Sequence, residues 1–162
     1  AYLKLGRMEH ATAVLQRAAR EGRARTAYWY PLAFVQTAVA QACLARGEPA
    51  RAVEAAREAL ALAERGSFRL EQGAAHRALA MALATLGERQ QADREFRESL
   101  EILEAIQSRP EVAQTLLAHG RFLADQDPAA GRALIERALS LFEKMNATGW
   151  IAEARRALVP QQ

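Results

Sequence analysis

The sequence predicts an all-α fold of stacked helix pairs, and three observations carry that prediction. Glycines recur at close to 40 residues, with Gly47 and Gly87 40 apart and Gly6 lying 41 before Gly47. A small/larger/small pattern at i, i+4, i+7 recurs with them, with alanine once in the larger slot: Ala11/Leu15/Ala18, Ala52/Ala56/Ala59, Ala92/Phe96/Ser99 and Gly131/Ile135/Ala138. Composition is the third, because the strong helix formers Ala, Leu, Glu, Arg and Gln make up most of the chain, while Val, Ile and Thr are sparse. A fixed period of this size with helical apolar spacing means helix pairs that bury their apolar faces only by stacking.

The elements follow in order. A stub over 1–5 and a second helix near 8–22 form the first pair. The next pairs cover about 28–45 with 49–65, and 69–86 with 88–106. Gly66 reads as the stop of one helix and Ser67 as the N-cap of the next. Pro110 suits the first turn of a helix over 110–125, and Asp127 caps one that starts at Pro128 and ends near Met145–Asn146. A last short helix runs from Thr148 through Leu158, closed by Pro160. Loops of two to five residues make neighbouring helices antiparallel. In 88–106 the stripe Ala92, Phe96, Ser99, Leu100 and Leu103 faces inward, and the pairs Asp93–Arg97, Arg94–Glu98 and Arg97–Glu101 face water. Only five residues precede Gly6, where later repeats have about 15; on this reading the chain is a fragment of a longer protein. It is organised as one domain with repeats near 1–25, 26–66, 67–108 and 109–147 and a capping helix at 148–158.

Charge and cysteine content narrow the function classes. The net charge is +3, and residues 1–25 alone carry six basic and two acidic side chains, with Arg17, Arg20, Arg23 and Arg25 prominent. A solvated helix end accounts for that run, and no direct nucleic-acid binding is expected. Cys43 is the sole cysteine, so neither an intramolecular disulfide nor a cysteine-based metal site can form. Thr26 to Ala45 is a span of 20 residues without charge, but Gln36, Thr37, Gln41 and Pro31 within it favour a helix buried between neighbours over a membrane span. His10, His76 and His119 fall in different repeats, away from ligand-spaced carboxylates. The sequence carries no phosphate loop, nucleophile elbow or Cys/His pair, so catalysis, metals and cofactors are not expected.

The register resembles the tetratricopeptide repeat. Leu79, Ala80 and Leu83 occupy that family's leucine, small and bulky first-helix slots; Gly87 takes the inter-helix glycine and Ala92/Phe96/Ser99 the second-helix pattern. Val39, Ala40 and Cys43 with Ala52/Ala56/Ala59 repeat it, and the fourth copy departs, with Gln126 in the glycine slot and Gly131 in the first alanine slot. The period of 39–41 exceeds the family's usual 34, as in the long repeats of large bacterial signalling proteins. The ending Leu141-Phe142-Glu143-Lys144-Met145, then Gly149-Trp150 and Ala154 to Leu158, also resembles segments that follow ATP-binding modules in LuxR-family regulators and multidomain nucleotide cyclases. The resemblance implies a right-handed superhelical solenoid of about 3.5 repeats plus a capping helix. It further implies a cytoplasmic, non-catalytic arm that binds protein or peptide. A cyclase segment with its chemistry elsewhere, and a small-molecule or peptide sensor, are the alternatives.

By the same resemblance the first helices line a groove. Its residues would be Phe34, Thr37, Gln41 and Leu44, then Arg77, Met81 and Thr85, then Leu116, Gly120 and Leu123. Tyr28, Trp29 and Tyr30 concentrate three of ten aromatics in three consecutive positions, and either form an exposed anchor or plug the start of the helix. Trp150 is expected to help the terminal helix cover the last repeat. The stub at 1–6 suggests a homodimer through the uncovered half-pair.

Overall fold

The computed structural model describes Gly6, Arg7, His10, Ala13, Val14, Arg17 and residues 29–159. The expected stub, the Ala11/Leu15/Ala18 triplet and Tyr28 lie outside them. The helices are α1 (Trp29–Ala45), α2 (Pro49–Arg65), α3 (Arg69–Thr85), α4 (Arg89–Ala105), α5 (Arg109–Leu123), α6 (Pro128–Lys144) and α7 (Thr148–Leu158). Each sits within two residues of its predicted span, and no strand occurs among the described residues. The six described residues before α1 are helical and exposed. Gly6, read from sequence as a turn residue, is therefore part of a helix.

The chain forms two compact units, residues 1–102 and 103–162. In the first, α1 packs against both α2 and α3, and α2 against α3. Contact between α1 and α3 is what stacked hairpins require, since each first helix leans on the next. The small slots Ala33, Ala40, Ala52, Ala56, Ala59 and Ala80 are all fully buried, with Leu79, Leu83 and Phe96 filling the space between. Polar ties cross the helices. Ser99 Oγ donates to Gly73 O at 2.8 Å, Gln72 Nε2 to Ala63 O at 3.2 Å, and Gln36 to the Glu58 carboxylate. In the second unit α6 packs between α5 and α7, around Leu116, Leu117, Ile135, Ala138 and Phe142. Arg121 and Arg155 bridge to Glu153 and Glu143 at 2.7 and 2.9 Å across the α7 interface.

Helix starts fall 20 residues apart through α5, because the first four helices are each 17 residues long and each turn takes three. The turns share one geometry. The amides of Glu48, Phe68, Glu88, Ser108 and Ala147 reach back five residues to Cys43, Ala63, Leu83, Leu103 and Phe142 O. Between them Gly47, Ser67, Gly87, Gln107 and Asn146 hold positive φ, the left-handed helix stop that favours glycine. Ser67 is thus not an N-cap; it is the left-handed residue, and Gly66 before it is right-handed with φ −89. The α5–α6 connection departs from this pattern: it has four residues, and the Asp127 carboxylate caps it by accepting from Ala130 N–H at 3.0 Å. Glycine removes the steric cost of the left-handed backbone but loses more chain entropy on folding. Gln107→Gly and Ser67→Gly should therefore each raise stability by about 0.5–1 kcal/mol, and Asn146→Gly by less, because asparagine tolerates this region. Urea midpoints at constant slope check the order.

Candidate binding surface

A surface forms where α1 and α3 leave large side chains uncovered. On α1, Tyr30, Phe34 and Gln41 lie at i, i+4 and i+11, on one stripe. Tyr30 is 48% and Phe34 63% exposed. On α3 the stripe is Leu70, Met81 and Thr85, with Leu70 40% and Met81 37% exposed. The two stripes are equivalent in the repeat, since Leu70 and Met81 each stand 40 residues after Tyr30 and Gln41. No residue of α1 is charged, and Arg69 is the one charged side chain of α3 that is fully exposed. Singly exposed apolar residues are ordinary; four large ones on two packed, nearly uncharged helices make a patch.

The predicted groove is brought together only in part. Phe34, Gln41, Met81 and Thr85 are exposed as expected, and Leu44 is half-buried. Thr37 is buried, its hydroxyl donating to Ala33 O at 3.1 Å. Arg77 is 6% exposed, so it presents no cation to the surface, and reversing its charge would test folding before binding. In the second unit Leu116 is fully buried and Leu123 half-buried. Gly120 instead meets α6: a Cβ there would lie 2.7 Å from Gly131 O. The assignment on α5 had slipped by one, because α5 keeps the 40-residue offset from α3 and the irregularity lies beyond it. The position matching Met81 is Arg121, which is exposed and paired with Glu153. Leu70 was missed, although its 40-residue offset from Tyr30 marks it.

The aromatic run is both plug and surface. The Arg65 guanidinium lies over the Trp29 ring, 5.3 Å from its centroid. Tyr30 meets Phe68 edge-on with centroids 5.3 Å apart. Its hydroxyl donates to the Glu71 carboxylate, and the Glu71 charge, that hydrogen bond and desolvation hold the phenol above its ordinary pKa. Trp150 stacks on buried Phe142 with the rings 10° from parallel, so the terminal helix does shield this core residue. His76 Nδ1 lies 2.6 Å from Glu95 Oε2, joining α3 to α4, and His119 stacks on Phe122. Among the described residues no three His, Cys, Asp or Glu side chains gather in a metal-binding set. Among the same residues no helix is long and apolar enough to cross a membrane.

These features define a class, an all-α protein of repeated helix pairs. No family model and no curated protein matches the chain. Among solved structures it is similar to BtubC (BKLC) from P. vanneervenii, with a TM-score of 0.60 and 13% sequence identity. The match covers 97% of this chain and 87% of that one. At this identity the similarity shows the fold alone.

Proposed function

We propose that this chain is a non-catalytic, tetratricopeptide-type arm that binds a protein or peptide through the α1–α3 face. One observation carries the reading: Tyr30, Phe34, Leu70 and Met81 are exposed at repeat-equivalent places on two helices that pack together. Buried small and bulky slots in the repeat register support the family assignment. A nearly uncharged, apolar face suits apolar anchors of a helix or extended segment, which gain by leaving water without desolvating opposed charges. Placement in a cytoplasmic bacterial signalling or transcription-regulatory protein rests on the sequence resemblance, and any signal would pass through the stacked hairpins.

Peptides selected from a displayed random library against the purified chain test this. They should be rich in Leu, Ile, Phe or Trp, and Phe34→Ser with Met81→Ser should weaken them at least tenfold, about 1.4 kcal/mol or more. Both positions are exposed, so melting temperature should hold. Selected peptides that bind the double variant as tightly as the parent would remove this face from consideration.

A further inference from the structure

Gly66 stands where the backbone has no need of glycine. Its φ of −89 and ψ of −4 are open to any residue, and the left-handed position of this turn belongs to Ser67. In the turns on either side the glycine is itself the left-handed residue, at Gly47 and Gly87. What Gly66 supplies is room. A Cβ on it would lie 2.1 Å from Phe68 Cε2 and within 2.6 Å of two further ring carbons. The ring therefore occupies the place of the missing side chain. From there it meets the edge of Tyr30 at an interplanar angle of 87°, within the range of favourable edge-to-face aromatic pairs.

Resting on the reading of the α1–α3 face as a binding surface, we infer that Gly66 is a positioning residue for it. Its bare Cα seats the Phe68 ring, and Phe68 together with Glu71 fixes Tyr30 at the rim of the face. The contact involves the outer atoms of a side chain that can rotate. An alanine at 66 therefore displaces the ring and leaves the helices in place. Tyr30 then loses its edge contact and turns away from Glu71. Two other charges are near this corner and are engaged elsewhere: Arg65 lies over Trp29, and Arg69 donates to Gln72 at 3.0 Å.

The test uses the whole chain with Tyr2→Phe and Tyr28→Phe, which leaves Tyr30 as its sole tyrosine. Ring-proton NMR reads the Phe68 contact, and absorbance against pH reads the phenol. In Gly66→Ala the ring-current shift on Tyr30 should disappear and its ionisation midpoint should fall toward that of a free phenol, with helicity unchanged. Phe68→Leu should do the same, and adding Gly66→Ala to Phe68→Leu should change neither reading further. A Tyr30 shift and midpoint that survive Gly66→Ala would overturn the inference. So would Gly66→Ala unfolding or perturbing the chain equally when the Phe68 ring is already gone. No ligand enters these measurements, so their outcome is independent of whether peptide selection succeeds.

Discussion

Phe96→Ala should lower the stability of the first unit by about 3–5 kcal/mol. Phe96 is 1% exposed and fills the bulky slot of α4. The helix neighbours that could lean into the void are Ala92 and Ser99, one turn to either side, and both are fully buried and small. Ser99 is further held by its hydrogen bond to Gly73 O. Relaxation is thus limited, and a site that cannot collapse carries the cavity cost on top of the lost transfer energy. The chain has two tryptophans, Trp29 in the first unit and Trp150 in the second. Urea unfolding followed in Trp29→Phe and Trp150→Phe backgrounds therefore reads each unit separately. The Trp29 signal should move to markedly lower urea. A loss under about 1 kcal/mol would mean that the slot repacks, against the close-packed interior assumed here.

The helices were legible because two independent signals agreed on them: apolar residues at helical spacing and breakers at the ends. Ala92, Phe96 and Ser99 announce a buried stripe whatever the partner helix is, and Asp127-Pro128 marks a start by its own chemistry. The candidate surface was only half legible, for a physical reason. Which side of a first helix faces water depends on what the neighbouring hairpins cover, and Thr37 and Arg77 lie close to the exposed stripes but on their covered edge. A shift of one position on a helix turns a side chain by about 100°, which was enough to exchange exposed Arg121 for buried Gly120. The Ser67 turn misled for a different reason. Glycine usually marks the left-handed residue, and here Gly66 makes room for an aromatic ring two residues on.

The same distinction between backbone need and space governs Gly131, where a substitution should be costly although the residue lies within a helix. Alanine is intrinsically better than glycine there by about 1 kcal/mol. Against this, a Cβ at 131 would lie 2.7 Å from Gly120 O, 3.0 Å from Ala124 N and 3.1 Å from Ala124 Cα. All three are backbone atoms of another segment, so no side chain can swing aside and the helices must part. Overpacking of this kind costs about 1–3 kcal/mol. Gly131→Ala should thus be net destabilising by about 1 kcal/mol, and Gly131→Val by about 3, since a second branch meets the same wall without the alanine propensity. Gly149→Ala is the control. Nothing lies within 4 Å of its Cβ position, so the helix preference should act unopposed and raise stability by up to about 1 kcal/mol. Trp150 fluorescence reports all three variants. A Gly131→Ala that stabilises as Gly149→Ala does would show that α5 and α6 can separate at little cost, and that their close approach is incidental to the second unit.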